Sequence, residues 1–335
     1  MKIIITTLLL CFSVFLLQAQ TLQVLVKDKK TSLRGLSVVN DKIVWVSGSN
    51  GTVARSIDGG ITWNWMTVKG FEKTDFRDIE AFSDTTAVIM GVAAPAYILR
   101  TNDGGATWKV VMTDSTKGMF LDAMSFFNEN SGVVIGDPID NKIFIGWTFD
   151  GGRSWRGIPY NNHPITDSGE ACFASSGTNI AALNKRREAV FVTGGLHARL
   201  FIRNEKIDLP LLQGKETTGA NSIAVKKINK NKNILIIVGG DFTTKDATEK
   251  NCCITSDGGK TFTIPTVSPH GYRSCVEFLK KSNWICCGLN GIDYSSDNGN
   301  HWALISSEGF HVCKKSKKGT AVFFAGGGKI GKLIQ

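Results

Sequence analysis

Beyond the first twenty residues, the apolar positions fall in short runs of β-branched and aromatic residues broken by Gly, Asn or Asp. Residues 42–68, KIVWVSGSNGTVARSIDGGITWNWMTV, are representative. Short runs separated by turn residues predict strands joined by tight turns, and four such strands fit between successive landmarks of the chain. No stretch after the leader carries a long helical period.

The landmarks are a recurring box. SIDGGITW, TNDGGATW, TFDGGRSW, TSDGGKTF and SSDNGNHW place aspartates at Asp58, Asp103, Asp150, Asp257 and Asp297, each followed by an aromatic: Trp63, Trp108, Trp155, Phe262 and Trp302. The aspartates are 45, 47, 107 and 40 residues apart. The double-length interval implies a decayed unit, with FIRNEKIDLP (residues 201–210) standing where its box would be. Four-stranded units at this period are the signature of a β-propeller. Five boxed units, the decayed one and three strands after Trp302 make seven. The last lacks a strand, and TLQVLV near the other end can supply it, closing the ring and removing both sheet edges. The expectation is an all-β, seven-bladed propeller of four-stranded blades over residues 21–335, a single domain.

Within each box, aspartate accepts hydrogen bonds from nearby amides, the glycines permit positive φ, and the aromatic enters the space between sheets. The box is expected to be a hairpin staple between third and fourth strands, not a ligand or calcium loop.

Composition adds a compartment. The chain has 335 residues and 42% apolar content, ample for a proper core. Lys2 followed by IIITTLLLCFSVFLLQAQ, ending at small residues near Ala19, reads as a secretory signal peptide over residues 1–20, an N-terminal anchor being the alternative. Export to the periplasm or medium follows. Seven cysteines remain after the leader, an odd number, so at least one is unpaired. Cys252–Cys253 and Cys286–Cys287 sit in strand-like runs, where neighbours face opposite ways. With no C-x-x-C or H-x-x-x-H spacing, no metal site is expected, and the cysteines read as small buried apolar residues. No cofactor is expected either: GGGKIG (residues 326–331) has no helix after it to hold a pyrophosphate, and Leu333 stands where a phosphate loop needs a hydroxyl.

The S-x-D-x-G-x-T-W box resembles the Asp-box, or bacterial neuraminidase repeat. In a seven-unit exported chain it is similar to the photosystem II stability and assembly factor-like propellers. FRDIEAF, GDPID, GEACFASSGTNIA, TGG at Thr193, GGDF and GYRS resemble a branch found in bacteria without photosystems. That branch is often labelled oxidoreductase, a label no redox motif here supports. The resemblance spans nearly the whole mature chain and implies a scaffold assisting assembly or stability of an envelope protein.

Propeller topology sorts the remaining residues by face. Aligned inner strands put Arg34, Arg77 and Arg273 at one level of the channel mouth, beside Asp78, Asp122, Glu170 and Ser274. Loops of that face add Asp137, His197 and Asp241, while Tyr272 and His311 begin the last two blades. Convergent charged groups at an axial mouth suit ligand binding. Sialidases use such a constellation, so the alternative is a glycoside hydrolase: Arg34, Arg77 and Arg273 as carboxylate clamp, Tyr272 as nucleophile, Glu170 as its base and Asp78 in acid/base work. Against it, the F/Y-R-I-P motif is missing.

Turns of the opposite face in the last four units carry Arg186, Arg187, Lys227, Lys230, Lys281, Lys314, Lys315, Lys317 and Lys318, much of the net charge of +10. This crescent suits an acidic protein, an anionic glycan or a membrane surface, and without aromatic platforms it does not suit nucleic acid. The reading favoured is a monomeric, non-catalytic binding scaffold.

Overall fold

The computed structural model describes residues 20–183, 187–203, 205–229 and 232–334. Residues 1–19, most of the expected leader, together with Arg186 and Lys230, lie outside the described residues.

Seven antiparallel blades follow one another along the chain. Blade 1 is Leu33–Val38, Val44–Gly48, Thr52–Ser56 and Asn64–Thr67; blade 2 is Phe76–Ala81, Ala87–Gly91, Ala96–Thr101 and Lys109–Asp114. Blade 3 is Leu121–Phe126, Gly132–Ile139, Lys142–Thr148 and Arg156–Gly157. Blade 6 is Cys275–Lys280, Asn283–Gly288, Gly291–Ser295 and Ala303–Ser306. Blade 7 is Val312–Lys315, Val322–Gly326 and Lys329–Ile334, completed by Thr21–Val26, which pairs antiparallel with Lys329–Ile334. The chain thus closes its ring with its own first strand. Among the described residues no helix is long and apolar enough to cross a membrane.

Blades 4 and 5 depart from the expected pattern. Blade 4 comprises Ile180–Ala182, Ala189–Gly195, Arg199–Ile202 and Glu205–Asp208, with Ile202 pairing directly to Glu205 where other blades have a box. Blade 5 has only three strands, Thr218–Lys227, Asn233–Asp241 and Cys252–Thr255. Pro265 and Pro269 cannot donate to a ladder, so the fourth strand shrinks to a bridge between Ile254 and Thr263. The segment then bonds to blade 6, through Val267 N to Asn300 O at 3.1 Å.

Each box closes as the sequence implies. Asp58 accepts hydrogen bonds from Ser56 Oγ at 2.8 Å, Thr62 N at 2.9 Å and Thr62 Oγ1 at 2.5 Å, while Gly60 N donates to Ser56 Oγ at 2.9 Å. Gly59 and Gly60 take φ of 80° and 90°, a region an L side chain resists. The same bonds recur around Asp103, Asp150, Asp257 and Asp297. These carboxylates accept hydrogen bonds from the amides and hydroxyls of their own turns.

The aromatics fill the seams between blades. Trp63 packs with blade 7, Trp108 with blade 1, Trp155 with blade 2, Phe262 with blade 4 and Trp302 with blade 5. Trp108 meets the fully buried Trp45 edge-on at 6.5 Å. All seven described cysteines are free and buried. The paired ones divide as strand geometry demands: Cys252 and Cys286 enter the seam between blades 5 and 6, Cys253 the seam before it, and Cys287 the seam after it.

Candidate functional site: the plugged channel and its arginine mouth

Four inner strands slip register at the same height. The ladder skips one residue between Leu33 and Gly35, Phe76 and Asp78, Leu121 and Ala123, and Ala220 and Ser222. The bulged residues are Arg34, Arg77, Asp122 and Asn221. A bulge turns its extra side chain away from regular pairing, and four in one ring give the axis a polar collar.

Blade 4 behaves differently. Its inner chain pairs as Glu170–Ala171 with Gly194–Gly195, then again from Ile180 onward, and residues 172–179 leave the sheet to cross the axis. Ser176 Oγ donates to Ser274 O of blade 6 at 2.7 Å, and Thr178 Oγ1 to Ser222 Oγ of blade 5 at 2.7 Å. Arg34 Nη1 of blade 1 donates to Ser175 O at 3.1 Å. Gly177 has φ of 64°, and a Cβ there would sit 2.4 Å from the Asp78 carboxyl of blade 2, so only glycine fits. This segment plugs the channel and divides it into two concavities.

The upper one, a cavity of about 300 Å³, is lined by Arg34, Arg77, Phe173, Phe242, Tyr272 and His311 among others. Phe242 stands edge-on between Phe173 and Tyr272, at 6.2 and 6.3 Å. Tyr272 is buried, which pushes its phenol up to about 12, and it donates to Asn221 Oδ1 at 2.8 Å. Burial, then the Arg34 and Arg77 charges, take His311 down to about 3, so its ring is neutral. Burial, then Arg77, lowers the Arg34 guanidinium, which keeps its charge. Arg77 gives Nε to Asp75 at 2.8 Å and lies over the Phe120 ring at 5.7 Å. Among the described residues, the other guanidinium nitrogens of Arg34 and Arg77 have no protein acceptor. Two cations with spare donors beside an aromatic wall have the chemistry to accept a carboxylate or similar oxyanion joined to an apolar group.

No family model and no curated protein matches the chain. Among solved structures it is similar to YCF48 from Cyanidioschyzon merolae, with TM-score 0.64 at 16% identity over 93% of this chain and 98% of that one. YCF48 bound to a D1 peptide gives 0.61 at 15% identity over 94% and 95%. The chain has a YCF48-like propeller fold. The WD40 β-propeller domain of Doa1 gives 0.62 at 12% identity over 95% and 98%, so the likeness is one of ring architecture.

Of the residues expected at the mouth, Arg34, Arg77, Tyr272 and His311 meet there; the others do not. Arg273 is fully buried, bonding Asp293 Oδ2 through Nε at 2.6 Å and Asn290 Oδ1 through Nη1 at 2.6 Å. The inner strand of blade 6 is paired from Cys275 onward, with Ser274 N already bonded to Cys287 O, and the Arg273 side chain before it turns to the buried Asp293 instead of the channel. Glu170 accepts from Thr193 Oγ1 at 2.6 Å and Arg199 Nη1 at 2.7 Å. The Tyr272–Glu170 contact that a tyrosine nucleophile requires is therefore not formed. Arg199, which also holds Asp167 at 2.5 Å and Asp208 at 2.8 Å, carried no sequence signal because it lies in the decayed unit. Asp241 caps its own turn through Thr243 Oγ1 at 2.6 Å, and Ser274 Oγ donates to His311 O at 2.6 Å. His197 lies half-buried in the turn before Arg199.

Asp78 faces the lower concavity, about 390 Å³, with Glu80, Glu277, Lys314 and Lys317. Lys314 therefore leaves the expected basic crescent: it points inward and is held charged by Glu277, Asp78 and Glu80 against its burial. Lys317 reaches Glu80 at 2.6 Å, Lys318 approaches Glu129 at 3.7 Å, and Lys315 also borders the cavity. Acids of blades 2 and 3 thus neutralise much of the blade 7 turn. Lys227 and Lys281 remain exposed, and Arg187 lies over Phe149 at 4.8 Å.

These carboxyls set a pH response. Burial raises Asp78 and Glu277 to about 7, so the folded state binds their protons more tightly than the unfolded chain. Their contribution is complete below about pH 4 and is lost as pH rises through 7. The box aspartates act oppositely: turn hydrogen bonds hold Asp58, Asp103 and Asp257 down to about 2, a contribution lost as pH falls from about 4 towards 2. Thermal stability should peak near pH 4–5 and fall towards pH 8. Glu277→Gln should flatten the alkaline limb in a melting series, and an unchanged slope would show that Glu277 carries none of it.

Proposed function

We propose that this chain is an exported, non-catalytic propeller scaffold, 21–335, that holds an extended segment of a protein partner at the upper mouth and so assists assembly or stability of an envelope protein. It works as a monomer in the periplasm or outside the cell. The observation that carries the reading is the pair of guanidinium groups, Arg34 and Arg77, with unused donors beside Phe173, Phe242 and Tyr272. A peptide supplies what this cavity asks for: an acidic side chain or terminal carboxylate and a neighbouring apolar residue. The YCF48 neighbour bound to a D1 peptide supports this reading. The repeated box and the quoted strings, similar to the Asp-box assembly factor-like branch, support it from the sequence. We assign capture to the mouth rather than to the basic face, where Lys314, Lys317 and Lys318 already have acidic neighbours.

The test is selection from a peptide library carrying free or amidated C-termini. The native chain should enrich acidic peptides with an apolar neighbour. Arg34→Gln/Arg77→Gln should weaken the selected peptides by about 10–100-fold, the loss of one or two charged hydrogen bonds, and added salt should weaken them too. If the double variant selects the same peptides with equal affinity, the mouth is not the binding site. Glycoside hydrolysis lost on Tyr272→Phe would establish the enzyme alternative instead.

A further inference from the structure

A second constellation lies behind Arg77, where blade 3 meets the first residue of the plug. The Asp122 and Asp137 carboxylates and the Cys172 thiol bring one donor atom each to within 4.8 Å of one another. Asp122 is completely buried, and neither of its oxygens has a hydrogen-bond partner of normal geometry; the Ala174 and Asp137 amides approach without closing such a bond. Asp137 is partly buried, and its Oδ1 accepts from the Cys172 amide at 2.8 Å, which orients it towards the thiol. Burial, then the Asp137 charge, pushes the Asp122 carboxyl well above the usual range, and ionising it without a full hydrogen bond costs several kcal/mol unless a counter-charge sits at its oxygens. The Arg77 charge acts on Asp122, but its Nε goes to Asp75 at 2.8 Å and none of its nitrogens bonds an Asp122 oxygen.

We infer that Asp122, Asp137 and Cys172 form a binding site for a divalent transition-metal ion of the zinc type, which fastens the plug to blade 3. Two carboxylates with one thiolate match the borderline softness of such ions and discriminate against magnesium and calcium, which favour all-oxygen shells. Zinc–oxygen and zinc–sulfur bonds of about 2.0 and 2.3 Å put tetrahedral donors roughly 3.3–3.6 Å apart, so donors now within 4.8 Å must close by about an ångström. The thiol, and any carboxyl still protonated, release their protons to solvent as the ion binds, and the divalent ion offsets two of the three negative charges of its donors. The donors come from the inner-strand bulge at Asp122, a second bulge at Asp137 in the neighbouring strand Gly132–Ile139, where a loop was expected, and the plug, so no spacing in the sequence announces them. Because the ion would fix residue 172 and hence Phe173 and Ser175, the site stands next to the mouth without being part of it.

The experiment is titration of chelator-treated protein with Co²⁺, read by the near-ultraviolet thiolate-to-cobalt absorption. One equivalent should produce the band, and zinc should displace it. Cys172→Ser should abolish the band. Asp122→Asn should weaken the ion by at least about tenfold. Metal-free Asp122→Asn should melt at or above the native temperature, because a neutral amide carries none of the cost of ionising a buried carboxyl, which separates lost binding from lost folding. Absence of the band, its survival in Cys172→Ser, or unchanged affinity in Asp122→Asn would each overturn the site.

Discussion

Asp293→Ala destabilises the ring by about 3–5 kcal/mol, the loss expected when one partner of a buried ion pair is removed. Asp293 and Arg273 are both fully buried, and Arg273 holds the carboxylate through Nε at 2.6 Å and through Nη2. Arg273 also bonds Tyr272 O at 2.8 Å and Asn290, whose amide nitrogen reaches Asp246 of the long blade 5 loop at 2.7 Å. Removing the carboxylate leaves a fully buried guanidinium without its counter-charge, and takes from the His270 amide its 3.2 Å acceptor. In a chain of this size the melting temperature should drop by roughly 5–8 °C. Arg273→Met/Asp293→Leu should recover most of the loss, since well-packed apolar replacements of a buried pair are near neutral. A drop under about 2 °C for Asp293→Ala would show that the pair has water or another counter-charge.

Removal of Thr21–Val26 has the second large effect, because that strand closes the ring. Leu22, Leu25 and Val26 pack on the core shared by blades 6, 7 and 1, where Phe310, Phe323 and Phe324 are buried. Burying three such side chains contributes about 5 kcal/mol, and the ladder with Lys329–Ile334 covers an edge otherwise open to pairing. A chain starting at residue 27 should lose its sharp melting transition and associate through the uncovered strand, as light scattering would reveal. A synthetic TLQVLV peptide should restore the transition. A truncated chain that melts like the native one would mean the ring closes without its clasp.

The sequence by itself determined the ring. Asp58, Asp103, Asp150, Asp257 and Asp297 are short-range devices whose partners lie within four residues, so their chemistry and spacing are written locally and count the blades. The closing strand was legible for a related reason: three strands at one end and one at the other leave a single pairing. Alignment of the inner strands also found Arg34 and Arg77, because both sit at one bulge of a repeated element. It misplaced Arg273 and Glu170, whose directions depend on whether a neighbouring blade offers a channel, Asp293 or Arg199. Only the tertiary structure decided that residues 172–179 leave their strand to plug the axis, that Asn221 shares the arginine level, that Lys314 turns inward, and that Asp122 meets Asp137 and Cys172. Local hydrogen bonding and period-two patterning specify strands and turns, whereas the axis is where seven distant segments converge, and no short stretch of sequence records what it will face there.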